Sequence, residues 1–230
     1  MPLAPFPHDE QARLAALRRY AILDTPPEEA FARIVSLAAR LFNVPVAVTT
    51  FVDACRQWNK ACVGFEGDEL PRDASFCAYT ILQDELLVVP DTLADERFLD
   101  YANVVAEPHI RFYAGAPLIT PDGYRLGSLC LADYIPRPDL TRAERQTLAD
   151  LARLVMDELE LRLALQKTRE LQAEQRASEA YVRSIYEATR IGLCLLDEAG
   201  NFVTANRAYC EMYGLSQAEV IGKPFTKGDL

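Results

Sequence analysis

The sequence predicts an α+β fold: a sheet of hairpin-joined strands with helices covering one face, then a long connecting helix, then the opening of a second small α/β unit. Three observations predict it. Strand-like runs stand at 44–53, where β-branched residues dominate, and at 56–64, 110–120 and 124–133, in pairs separated by short polar turns. Apolar residues recur at three- and four-residue spacing through 28–42. From Thr141 the chain runs 48 residues without a glycine or proline.

Taken in order, residues 1–8 carry three prolines and read as a flexible tail. A short helix is expected over 9–20, with Leu14, Ala15, Ala16 and Leu17 as its apolar positions. In "ILDTPPEEAF", Asp24 or Thr25 can cap a second helix, Pro26 and Pro27 suit its first turn, and Glu28 and Glu29 suit its positive end. Phe31, Ile34, Val35, Ala38, Leu41 and Phe42 give that helix one buried face. "VPVAVTTFVD" and "RQWNKACVG" form a hairpin through an acidic turn. "SFCAYTIL" (75–82) reads as a short helix started by Ser75, and "LLVVPD" (86–91) as a strand. Residues 92–108 are polar and irregular, with a helical turn or two at "LADERFLD". "IRFYAGAPLIT" and "YRLGSLCLAD" are strands joined by "PDG". Gly115 and Gly127 inside them mark a bulge or a close backbone approach.

The helix over 141–188 opens on a capping box, Thr141 with Glu144. If continuous it is roughly 70 Å long at ~1.5 Å per residue. Leu148, Leu151, Val155 and Leu159 can cover the sheet. Beyond them the stripe thins to Leu161, Leu165, Thr168 and Leu171, too little to hold a lone helix, so a coiled coil in a homodimer is expected there. After residue 189 come a strand at 191–197, a second at 202–205, a helix at 206–213 and another begun by Ser216. Two strands and short helices bury too little for a whole domain, so 189–230 is expected to be a truncated one.

Composition narrows the function. The net charge of −10 disfavours nucleic acid and anionic membrane as partners. No stretch approaches ~18 uninterrupted apolar residues, and nothing near the start reads as a signal peptide, so the reducing cytoplasm is the expected compartment. The six cysteines include no Cys-x-x-Cys pair, and His8 and His109 are the two histidines, so no metal or other cofactor is expected.

"VPVAVTTFVDACRQWNKACVG", "RDASFCAYTI", "LVVPDTLADERF" and "IRFYAGAPLITPDGYRLGSLCLAD", followed by a long helix, resemble a bacterial GAF domain over residues 9–165. The likeness is greatest to GAF domains at the N-terminus of sensor histidine kinases and diguanylate cyclases. "GLCLLDEAGNFVTANRAYCEMYGLSQAEVIGK" is similar to the first half of a PAS domain. The resemblance implies a central antiparallel sheet, helices on one face and a ligand pocket under loops on the other. It implies a signal-transduction input module of the kind found in two-component systems, not itself an enzyme, coupled through a parallel coiled coil to PAS and to a kinase or cyclase effector beyond residue 230.

The groups expected to converge beneath the loops around an unidentified small molecule are Trp58, Phe76, Cys77, Tyr79, Asp91, Arg97, Phe98, Arg111 and Tyr113. The plainer reading has Trp58 and Tyr113 packing the sheet and Asp91 pairing with Arg97. Strand alternation sends Phe112 and Tyr113 to opposite faces. Cys77 is followed by Ala78 and Tyr79, without the histidine that accompanies a bilin-linking cysteine. Haem would have to rely on His109. "NK" at 59–60 with "DE" at 68–69 is similar to a cyclic-nucleotide motif but differs in spacing. The rival function is a thiol redox enzyme or sensor using Cys77 with Cys62 or Cys130. A third reading is a dimerisation scaffold.

Overall fold

The alternating runs become the centre of a six-stranded antiparallel sheet in the computed structural model, which describes residues 4–65 and 67–225. The strands are β1 (Val46–Val52), β2 (Arg56–Val63), β3 (Glu69–Pro71), β4 (Leu87–Val89), β5 (Phe112–Ile119) and β6 (Arg125–Asp133), in the order β3-β2-β1-β6-β5-β4. Every residue of β1 is buried, as a central strand covered on both faces requires. The β5–β6 hairpin closes on Gly123 at φ +88°, a left-handed conformation that glycine adopts without a steric penalty.

The helices are α1 (Glu10–Arg19), α2 (Glu29–Phe42), α3 (Cys77–Thr80), α4 (Ala102–Val105), α5 (Arg142–Ala188), α6 (Arg207–Tyr213) and α7 (Gln217–Val220). α2 begins later than its sequence suggests. Asp24 takes a left-handed turn at φ +59°, and Glu28, at φ −125° and ψ 131°, is still extended. Proline disfavours helical geometry in the residue before it, so the Pro26–Pro27 pair delays the start. α3 is shorter than the run suggests, and Ser75 Oγ accepts the Ala78 N–H at 3.1 Å as an N-terminal cap. α5 opens on the expected box: the Thr141 N–H donates to Glu144 Oε2 at 2.8 Å and the Glu144 N–H to Thr141 Oγ1 at 3.3 Å.

The chain divides into two compact units, Met1–Ala164 and Leu165–Leu230. The first has a core on each sheet face. On one face, Phe31, Val35 and Ala38 of α2 and Leu148, Leu151, Val155 and Leu159 of α5 meet Ala47, Phe51, Phe112, Leu129 and Leu131. On the other, short elements and loops cover Val46, Val48, Tyr113, Cys130 and Ala132. In the second unit, β7 (Cys194–Leu196) pairs with β8 (Phe202–Ala205), and Phe202, Ala205, Tyr209, Cys210 and Val220 form a small core. Among the described residues no helix is long and apolar enough to cross a membrane.

Candidate functional site

The loop-covered face of the sheet gathers chemistry that the helix-covered face lacks. β5 sends Phe112 to the helices and Tyr113 to the loops, as alternation requires. α3 lays Phe76 and Cys77 over Tyr113, and the chain from Phe98 to Ile110 closes the layer. The Phe76 ring lies 5.0 Å from Tyr113, 4.8 Å from Phe98 and 5.5 Å from Tyr101, centroid to centroid. Tyr79 meets Phe98 edge-on at 5.1 Å. These are favourable stacked and edge-to-face geometries.

A small polar cluster lies inside this layer. Tyr113 Oη shares a hydrogen bond with Thr80 Oγ1 at 2.7 Å and donates to Cys77 Sγ at 3.4 Å. Cys77 and Cys130 hold their sulfurs 3.8 Å apart, and Cys130 donates to the Val48 carbonyl at 3.5 Å. Gly115 leaves the space for this cluster, because a β-carbon there would lie 2.3 Å from Tyr113 Oη and 2.8 Å from Thr80 Oγ1. Burial raises the Cys77 thiol pKa, but its hydrogen-bonding contacts with Cys130, Ser128, Thr50 and Tyr113 outweigh that and bring it below the ordinary range. The Tyr113 phenol is pushed up by burial and by charge on Cys77. Asn103 Oδ1 is buried nearby without a hydrogen-bond partner, and the buried Tyr101 Oη faces Tyr79.

The ionic groups sit at the margin and do not pair as expected. Arg97 forks onto Asp95 at 2.9 and 2.6 Å, with its guanidinium 4.9 Å above the Phe98 ring. Asp91 takes the fork of Arg111 instead, at 3.0 and 2.8 Å. The expected Asp91–Arg97 pair is therefore replaced by two others. Asp95 is two residues from Arg97, and Arg111 lies where Thr92 N–H reaches its carbonyl at 2.9 Å. Arg111 holds the Asp91 carboxyl below its ordinary pKa, and Arg97 does the same for Asp95.

A GAF domain profile matches residues 26–159. The chain belongs to the GAF domain family. A PAS fold profile follows at residues 180–227. A cyclic di-GMP phosphodiesterase of Pseudomonas aeruginosa is 42% identical over 156 residues, 68% of this chain, and the chain spans 27% of that protein's length. Among solved structures, the GAF domain of an Acinetobacter phosphoenolpyruvate-protein phosphotransferase is similar with a TM-score of 0.50 and 16% identity, covering 68% of this chain and 96% of that one. A bacteriophytochrome from R. palustris gives 0.50 at 10% identity, covering 81% and 43%. At these identities the structural likeness is one of fold. GAF and PAS are sensory domains, and their succession here fits a signalling input module.

Within this GAF domain, Phe76, Cys77, Tyr79, Phe98 and Tyr113 converge under the loops, and Trp58 does not. A bulge in β2 sets its face. Thr49 opposes Ala61 while Thr50 opposes Asn59, so Lys60 is the extra residue. Trp58 stacks on Phe51 at 6.4 Å in the helix-side core and lines a separate groove of about 750 Å³ with Glu28, Lys60 and Asp68. Burial lowers the pKa of Lys60, which donates to Thr25 Oγ1, the Pro26 carbonyl and Glu28 Oε1 at 2.8, 2.6 and 2.7 Å. Asn59 donates to the Gly67 carbonyl at 3.0 Å, and Glu69 pairs with Arg56. All but Asp68 of the "NK … DE" side chains are thus engaged in bonds that hold β2 and its neighbours. His109 is exposed. Tyr101, Asn103, Thr50 and Ser128 were not legible as site residues, since nothing local in sequence marks which polar groups a loop will fold inward.

Proposed function

We propose that this chain is the sensory input of a bacterial signalling protein whose output is cyclic di-GMP turnover, with phosphodiesterase favoured over a histidine kinase or a diguanylate cyclase. The observation that carries it is the 42% identity to a cyclic di-GMP phosphodiesterase, in a chain that places GAF before PAS. The loop-covered face is the ligand site in this reading, with Phe76, Tyr79, Phe98 and Tyr113 as its apolar wall and Tyr101 Oη and Asn103 Oδ1 as polar contacts.

α5 is the element through which a second copy pairs. Residues 164–185 are all exposed, and a helix with no buried face is marginal in water. Positions 161, 164, 168, 171, 175, 178, 182 and 185 follow a heptad seam with Leu161, Leu171, Val182 and Ile185 as its apolar anchors. Each such side chain contributes about 1.5–3 kcal/mol when buried by a partner. The seam differs from the stripe formed by Leu151, Val155 and Leu159, which the GAF core already uses.

The test is cyclic di-GMP hydrolysis by the protein that carries this chain, with and without L161E/L171E. Hydrolysis whose regulation is lost in the variant supports the reading. Synthesis of cyclic di-GMP, or histidine autophosphorylation without hydrolysis, would overturn the output assignment.

A further inference from the structure

The Cys77–Cys130 pair is not explained by packing alone. Cys77 lies on α3 in the loop layer and Cys130 on β6 at the centre of the sheet, 53 residues apart in sequence, with sulfurs in contact at 3.8 Å. Both are free and buried. A structural cysteine in a core behaves as a small hydrophobe with apolar neighbours. Here the surrounding groups include Tyr113 Oη, Thr50 Oγ1 and Ser128 Oγ, all on fully or almost fully buried residues.

We infer that Cys77 and Cys130 form an oxidisable dithiol, a modification site at which a small hydroperoxide converts two thiols into a disulfide that staples the loop layer to the central strand. Cys77 is the nucleophile, because Tyr113 Oη donates to its sulfur at 3.4 Å and so favours the thiolate, while the Cys130 thiol donates to the Val48 carbonyl. The Cys77 thiolate attacks one peroxide oxygen. The O–O bond breaks, Cys77 becomes a sulfenic acid, and the departing hydroxide takes up the proton that Cys77 lost, giving water. Cys130 then attacks the Cys77 sulfur; the S–O bond breaks and the hydroxyl leaves as water with the Cys130 proton. In sum, two thiols and one hydroperoxide yield one disulfide and, with hydrogen peroxide as oxidant, two waters.

The closure brings the sulfurs from 3.8 Å to the ~2.05 Å of a disulfide. Access follows from the make-up of the layer. α3 and α4 have four residues each, so the cover has few regular hydrogen bonds and opens more readily than the central strands. Hydrogen peroxide is small enough to enter through such an opening. The staple would also fix α3 against the strand that ends at Asp133. There Arg137 donates to Asp133 Oδ2 at 2.6 Å and to the Phe42 carbonyl at 3.0 Å, tying that strand end to α2 before α5 begins. The site stands whether or not the chain regulates cyclic di-GMP turnover.

The test uses the native chain, dilute, exposed to hydrogen peroxide, then alkylated with N-ethylmaleimide under denaturing conditions and mapped by peptide mass. The expected result is a Cys77–Cys130 cross-linked peptide lighter by two hydrogens, restored to two alkylated thiols by prior dithiothreitol. In Cys130→Ser, the expected product is a Cys77 sulfenic acid trapped by dimedone with no cross-link. Recovery of Cys77 and Cys130 as alkylated thiols while exposed Cys55 and Cys62 are oxidised would overturn the inference. Irreversible oxidation of Cys77 without the cross-link in the native chain would also overturn it.

Discussion

Gly127 shows how a single position is fixed by its neighbour's backbone. A β-carbon there would lie 1.9 Å from the Thr50 carbonyl oxygen and 2.8 Å from Phe51 Cα. Both belong to β1, a central strand with all seven residues buried, so neither can withdraw. Gly127→Ala should therefore cost about 3 kcal/mol or more, at the upper end of overpacking, and lower the thermal midpoint by many degrees. Gly123→Ala is the control: nothing lies within 4 Å of its β-carbon and only its φ of +88° is strained, so about 1–2 kcal/mol is expected. Equal losses in the two variants would refute the close-approach argument. Tyr113→Phe removes a hydroxyl shared by Thr80 at 2.7 Å and Cys77 at 3.4 Å, which leaves Thr80 with a 3.5 Å contact to the Phe76 carbonyl. A loss of about 1–2 kcal/mol in chemical denaturation is expected, and no change would mean that the hydroxyl is not part of the buried network.

At the scale of elements, the decisive case is α5, whose first apolar stripe is buried in the GAF core and whose second is the proposed dimer seam. Leu151→Glu places a carboxylate in the sheet-facing core and should unfold the GAF domain, seen as loss of cooperative melting. Leu161→Glu with Leu171→Glu alters side chains that are 53% and 54% exposed, so the fold should persist while the dimer dissociation constant rises at least about tenfold by analytical ultracentrifugation. An unchanged dimer would remove α5 as the seam. Periodicity made the sheet-facing stripe legible, because a 3.6-residue repeat is written directly in the order of Leu148, Leu151, Val155 and Leu159. Hairpins were legible for the same reason, through alternation and turn residues. Four-residue α4 was harder to read, since so few residues carry no period. The face of Trp58 was hidden for another reason. Its orientation depends on a bulge at Lys60, and that lysine's place is set by Thr25, Pro26 and Glu28 some 32–35 residues away. The Cys77–Cys130 contact is likewise a product of tertiary pairing, with no local signal in either strand or helix.

At the scale of the whole molecule, stability should fall in acid more steeply than net charge alone demands. The chain carries −10 at neutral pH, so mild acidification relieves repulsion and by itself favours the folded state. Glu10 works the other way. Burial pushes its carboxyl up, but hydrogen bonds from Arg13 at 2.7 and 2.8 Å and from Arg72 at 2.5 Å more than offset that and hold its pKa below the ordinary 4.5. A carboxyl depressed in the folded state binds fewer protons there than in the unfolded chain. Its contribution is complete above the unfolded value and is lost as pH falls through the folded one. Asp122 behaves alike, held at about 2 by Arg19, but on the surface. Protonating Glu10 also leaves two buried guanidiniums facing one another, and Arg72 Nη2 is already without a partner. The thermal midpoint should therefore drop between about pH 4.5 and about pH 2. In ~1 M salt, where the Debye length is about 3 Å, the Arg19–Asp122 share should vanish and the Glu10 share should remain. Glu10→Gln should lower the midpoint at pH 7 and flatten the salt-resistant part of the acid slope. If the slope in high salt is the same in Glu10→Gln and the native chain, the Arg13–Glu10–Arg72 cluster is not what ties α1 to the sheet in acid.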